Sequence, residues 1–212
     1  MLKPGPLLSS AIMLLSLPIT TEAAVVYQDL EDLQIPSPIF RALDIDGKGS
    51  DDIAFSFDYD DWEGTTATAL IPLGAPAGNG IAAQSAAALR LDQGELIDAS
   101  RAYAADTTML NAYDDWWDGL SKWGNWDNMG SGETGYLGFA FVDSGEELHY
   151  GWLQAHVNPD NQHTTIYDFA YESTPGQAIA AGDMGAPVPV PAAVYLLGSG
   201  MMALVAGRRC RR

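Results

Sequence analysis

The sequence predicts a mainly β protein, an antiparallel β-sandwich or jelly-roll-like body over residues 24–186 with one apolar helix at each end of the chain. Three observations carry that expectation. Apolar and polar residues alternate with period two over 136–143 and in the runs that follow, which suits strands and not helices. Tight-turn sequences, Ser144-Gly145-Glu146 and Asn158-Pro159-Asp160-Asn161, separate those runs at the spacing of a meander. The two long apolar stretches lie near the termini, outside the body, whereas 27 of the 28 acids lie inside it.

Taken in order, the pattern opens at Ile53-Ala54-Phe55-Ser56-Phe57, where apolar residues alternate with small or polar ones. Residues 66–73 read as a second strand and 87–91 as a third, with 74–88 a long Ala/Gly loop leading into it. Residues 108–117 read as the one weakly helical segment of the body. Over 136–143, Leu137, Phe139 and Phe141 share one face, and Tyr136, Gly138, Ala140 and Val142 the other. In 148–157, Tyr150 and Trp152 face opposite to Leu153, Ala155 and Val157. Residues 164–172 then carry Tyr167, Phe169 and Tyr171 on one face. Three strands joined by tight turns make a meander, and a two-layer sandwich is the economical way to bury their apolar faces.

The two ends read as addresses. In residues 1–23, Lys3 precedes an apolar core from Leu7 to Leu17, and Pro18 ends it. Thr21 and Ala23 then place small residues at −3 and −1 of a cleavage site, so signal peptidase is expected to cut between Ala23 and Ala24. At the other end, Val188-Pro189-Val190-Pro191-Ala192 is a stiff, proline-spaced strip. The uncharged run from 192 to 207 follows, about 24 Å long as a helix at ~1.5 Å per residue. With the Val-Pro strip and snorkelling arginines it reaches the span of a bilayer core, about 30 Å. Arg208, Arg209, Arg211 and Arg212 close the chain and are expected to stay cytoplasmic, which leaves the body on the other side of the membrane.

A Val-Pro-x-Pro-Ala strip followed by Leu196-Leu197-Gly198-Ser199-Gly200, an apolar stretch and a terminal arginine cluster resembles the PEP-CTERM sorting signal. The match covers about the last 25 residues, with Pro-Val-Pro where the name-giving motif has Pro-Glu-Pro, and is similar to the Val-Pro-x-Pro-Ala variant. The resemblance implies export across the inner membrane of a Gram-negative-type bacterium. It further implies tethering through the C-terminal helix, then processing near the proline motif by an exosortase, a membrane-embedded protease. Many carriers of such tails are linked to extracellular polysaccharide. Within the body, Tyr136-Leu137-Gly138-Phe139, Tyr150-Gly151-Trp152 and Ala170-Tyr171-Glu172 before Pro175-Gly176 look like a recurring module of such exported proteins, which implies a β-rich body and no particular activity.

Charge and composition exclude whole classes of function. Ten Lys+Arg against 28 Asp+Glu give a net charge of −18, and between 24 and 186 only five bases accompany the 27 acids, a net of −22. Such a surface displaces no counterions from phosphates, so nucleic acid and anionic membrane surfaces are excluded as electrostatic partners. The single cysteine, Cys210, lies beyond the C-terminal apolar run. The body therefore has no disulfide framework, no thiolate zinc site and no thiol nucleophile. It carries no G-x-S-x-G elbow, and His149, His156 and His163 are spaced by seven, which does not gather them on one face of a strand. No enzymatic activity is expected.

Two constellations remain as candidate sites. Asp44, Asp46 and Asp52 stand at relative positions 1, 3 and 9 of a loop with Gly49 at position 6, similar to short calcium loops of bacterial surface proteins. Lys48 occupies position 5, where a ligand oxygen is usual, so any calcium would bind weakly; a plain Asp/Gly turn explains the same residues. Trp116, Trp117, Trp123 and Trp126 stand among Asp114, Asp115, Asp118, Asn125 and Asp127. Flat rings beside polar groups suit sugar recognition, and tryptophans also plug the open ends of sandwiches. The expected function is an exported cell-envelope or extracellular-matrix protein; the alternative is a polysaccharide-binding module using 116–126.

Overall fold

The computed structural model describes residues 24–60, 64–115, 119–126, 133–158 and 163–185. These form β1 (Val25–Pro36), β2 (Phe40–Leu43), β3 (Ile53–Asp60), β4 (Gly64–Leu70), β5 (Gly80–Gln84), β6 (Ala87–Ala88) and β7 (Leu96–Ile97). After them come β8 (Tyr103–Ala104), β9 (Asp106–Asp115), β10 (Gly119–Trp123), β11 (Glu133–Val142), β12 (Leu148–Asn158), β13 (His163–Glu172) and β14 (Ile179–Ala180). Pairing runs continuously in the order β1-β13-β12-β11-β5-β6-β9-β4-β3-β2, with β10 on β9, β8 on β5 and a separate β14–β7 ribbon. Neighbours are antiparallel except β6 and β9. β5 pairs with β11 through Ile81 and Gly80, then with β6 through Ala83 and Gln84, so it turns the corner between two layers. β1 also lies against β3, which brings the two edges of the folded sheet together. The body is sandwich-like and nearly a barrel.

The main core fills the space between the layers. Phe55, Phe57, Met109 and Leu110 of one layer meet Phe139, Phe141, Leu153 and Phe169 of the other. The layer of β11, β12 and β13 is buried on its outer face as well, where Tyr150 and Trp152 pack with Leu91, Ile97 and Ile179. The expected parity of β11 and β12 is thus realised: Leu153, Ala155 and Val157 enter one core and Tyr150 and Trp152 the other. The layer of β3, β4 and β9 turns a polar face outward, where Ser56 and Thr68, directly opposed, share a 2.7 Å hydrogen bond. In β12, Gly151 opposes Phe139, and a Cβ there would run into that ring and the Ala170 carbonyl. A glycine lets the aromatic ring cover its neighbour's backbone.

Several elements differ from expectation for identifiable reasons. Residues 108–117 were expected to be helical, but β9 pairs with β4 as a strand. A register shift opposite Ala67/Thr68 skips Met109, so Met109 and Leu110 both enter the core, and two adjacent inward residues imitate a helical pattern. The Ala/Gly stretch 74–88 contains β5, the corner strand, whose small buried side chains carry little periodicity. Conversely the expected strand 87–91 is reduced to β6 and a single bridge from Leu91 to Tyr136. In β13 a register shift skips Tyr167, so Ile166 and Phe169 both join the main core and Tyr167 leaves the face assigned to it. β11, β12 and β13 form the expected meander. Among the described residues no helix is long and apolar enough to cross a membrane; the runs at 1–23 and 192–207, expected to be a signal helix and a transmembrane helix, lie outside them.

Candidate metal centre

Three segments far apart in sequence meet where β3 and β5 begin and β11 ends: the 44–52 loop, the 71–79 connection and the 143–147 turn. Between them is a cleft of about 80 Å³, walled by Asp46, Lys48, Asp52, Pro76, Val142 and Asp143.

The 44–52 loop is held by its own backbone. The Asp44 carboxylate accepts from the Lys48 N–H (3.1 Å) and the Gly49 N–H (2.6 Å), and Asp46 Oδ1 accepts from the Lys48 N–H (3.0 Å). Gly49 sits at φ 93°, the left-handed turn that position 6 was expected to require. Asp52 is only 3% exposed; its Oδ2 accepts from the Ile45 N–H at 2.9 Å. Asn79 joins this loop to the other layer. Its Nδ2 lies 3.4 Å from both the carbonyl oxygen and Oδ1 of Asp52, and its Oδ1 accepts from the Val142 N–H at 2.8 Å. Burial pushes the Asp52 carboxyl above the ordinary carboxylate range; the Ile45 N–H opposes this and neighbouring Asp46 adds to it.

The 143–147 turn is built differently. Asp143 Oδ1 accepts from the Gly145 N–H (2.8 Å) and the Glu147 N–H (3.0 Å). These bonds, the Glu147 N–H foremost, hold the Asp143 carboxyl below its ordinary range, with Lys48 and His149 assisting. Its other oxygen, Oδ2, faces Lys48 Nζ at 3.7 Å and His149 Nε2 at 3.8 Å. Lys48 Nζ also lies 3.5 Å from Asp46 Oδ2. The residue expected to repel a cation therefore serves as a counter-ion between the two turns. His149 is buried, and its Nδ1 meets the Glu172 carbonyl at 2.9 Å. Its ring stacks on Phe141 with centroids 5.4 Å apart and meets the edge of Tyr171 at 6.1 Å.

The structure thus brings Asp44, Asp46 and Asp52 together, with ligand oxygens within 4.8 Å of one another, as the sequence suggested. Asp143, Glu147 and His149 form a second group on the same criterion, which sequence reasoning missed. Its signal was an Asp, a Glu and a His at relative positions 1, 5 and 7 across a tight turn. Asn79, the bridge, had no sequence signal. Of the tryptophans, Trp126 is fully buried in the main core, its backbone N–H bonded to the carbonyl of Met109 at 3.3 Å, so it acts as a plug and offers no face to a sugar. Trp116 and Trp117, and the side chain of Trp123 at the end of β10, lie outside the described residues. So do Ala23, Val188, Pro189, Val190, Pro191, Ala192 and Arg208, Arg209, Arg211 and Arg212. His156 and His163 are closer than their spacing implied. After its own burial, the charge of His163 is the next influence that lowers His156. No protein-family model, curated protein or solved structure matches the chain.

Proposed function

We propose that the chain is an exported, non-enzymatic cell-envelope or extracellular-matrix protein, held at the inner membrane by its C-terminal segment until an exosortase-like protease releases it. The two-ended address in the sequence motivates this reading. The observation that carries it is where the two addresses leave the body. Ala24, the residue after the expected signal cleavage, already contributes to the fold through its carbonyl, which accepts from the Ser173 N–H at 3.0 Å. The last described residue, Gly185, packs beside Val25, and Trp152 Nε1 donates to the Asp183 carbonyl at 2.9 Å. Both tails therefore depart from one corner, and cutting at Ala23/Ala24 and near Pro191 leaves these contacts intact. The finer fold that accompanies this reading is a jelly-roll-like sandwich between a signal helix and a transmembrane helix.

The test is export in a Gram-negative-type host that carries an exosortase, followed by fractionation and mass spectrometry. The reading expects a form beginning at Ala24 and shortened near Pro191, recovered outside the inner membrane. Full-length protein in the cytoplasm would overturn it. The polysaccharide-binding alternative now rests on Trp116, Trp117 and Trp123, with Trp126 removed from its contacts. Retardation of the protein in polysaccharide-containing gels, lost in Trp117→Ala, would favour it.

A further inference from the structure

We propose that Asp143, Glu147 and His149 bind a borderline divalent transition-metal ion of the zinc type, and that the Lys48 ammonium holds its place when it is absent. Weak calcium binding was one of two readings of the neighbouring loop, beside a plain turn; the donor set here is different in kind. It combines a neutral imidazole nitrogen with two carboxylates, which suits Zn²⁺, Ni²⁺ or Co²⁺ over Ca²⁺ or Mg²⁺, ions that take oxygen ligands. The three ligand atoms lie within 4.8 Å of one another.

The orientation of His149 is the independent observation. Its Nδ1 faces the Glu172 carbonyl at 2.9 Å, and a carbonyl accepts only, so Nδ1 carries a hydrogen. In the neutral ring Nε2 is then a bare lone pair, and it points at the Asp143 carboxylate oxygen 3.8 Å away. That lone pair and the Asp143 oxygen converge at 3.8 Å, too far apart for a good hydrogen bond between them. A metal at about 2.0–2.1 Å from each atom bridges that separation. The backbone carbonyl on the far ring nitrogen is the support that ligating histidines generally have, fixing tautomer and direction. Phe141 and Tyr171 hold the ring plane. Asp143 is likewise pre-aimed, because the Gly145 and Glu147 N–H groups occupy Oδ1 and leave Oδ2 toward the histidine. Glu147 is exposed and closes the set from the solvent side. Metal entry drives the half-exposed Lys48 ammonium toward Asp46, its other partner.

The experiment uses the full chain in detergent, without an affinity tag, titrated with Zn²⁺ against a chromophoric chelator and with Co²⁺ by its visible spectrum. One Zn²⁺ per chain and a Co²⁺ spectrum of low coordination number are expected, with Ca²⁺ and Mg²⁺ failing to compete. Glu147→Gln, at an exposed position, should weaken binding several-fold, and His149→Gln by at least ~10-fold. Lys48→Met removes the competing charge and should tighten it. His156→Gln should leave it unchanged. Because His149→Gln empties a buried position, its circular dichroism is checked, and Glu147→Gln and Lys48→Met decide the matter if it unfolds. No stoichiometric Zn²⁺, or binding indifferent to both of those variants, would overturn the proposal.

Discussion

The 44–52 loop and the 143–149 turn meet on one lysine and are both rich in acids, yet they dispose of those acids in opposite ways. In the loop, Asp44, Asp46 and Asp52 turn their oxygens onto the loop's own N–H groups, and Asp52 goes deep enough that burial disfavours its charge. In the turn, Asp143 spends one oxygen on N–H groups and keeps the other for the cleft, where its charge is favoured. The difference teaches that an acidic cluster is not defined by its residue types. What matters is whether the backbone has already claimed the lone pairs. The loop's N–H groups claim both oxygens of Asp44 and one each of Asp46 and Asp52; the turn's claim one of Asp143 and leave the other aimed at His149 and Lys48.

The largest expected effect breaks the bridge between the two. Asn79→Ala strips the Val142 N–H of its acceptor and Asp52 of its amide neighbour, and should cost about 1–3 kcal/mol of unfolding free energy, measured by urea denaturation. Asn79→Asp should cost at least as much, since it places another carboxylate against Asp52.

The pH dependence separates the two acids by sign. Asp143 has a depressed folded-state pKa, so its stabilisation is present above the ordinary carboxylate range and is lost as pH falls through the folded value. Asp143→Asn should therefore flatten the acid limb of stability. Asp52 is raised, so the native chain binds its proton before the unfolded chain does, and its contribution grows as pH falls through the folded value. Asp52→Asn should compare best with the parent at neutral pH and lose ground on acidification to about pH 4, the reference carboxylate range. Melting temperatures of the three proteins across that interval decide it; parallel curves would erase the distinction.

The smallest effect sharpens the comparison at the loop. Screening of a strongly acidic body stabilises it with any divalent salt, so calcium and magnesium at equal ionic strength should raise the melting temperature alike. A larger calcium shift that Asp46→Asn abolishes and Lys48→Asp increases would instead make the loop a calcium site, in the weak range of about 10⁻⁴–10⁻³ M.

The sequence by itself determined the meander. In β11 and β12 the side-chain period of two is unbroken, both faces are apolar, and Trp152 and Leu153 could be sent to opposite cores by counting alone. It also marked the bends at Asp44–Asp52 and Ser144–Glu146, because Asp and Gly state their local geometry. Where the register shifts, the count fails. β9 carries Met109 and Leu110 inward together, β13 skips Tyr167, and β1 interrupts its pairing between Asp29 and Leu33, with Glu31 and Asp32 at positive φ. β5 hid for another reason: its alanines fill a corner whose tightness only its neighbours impose. The site was beyond the sequence altogether. Asp46 and Asn79 lie in two connections and His149 at the start of β12, places that local propensity cannot relate, and the pairing of β5 with β11 and β4 with β9 brings them together. The direction of His149 was decided last, by a carbonyl on the next strand, since an imidazole takes its tautomer from whatever its far nitrogen meets.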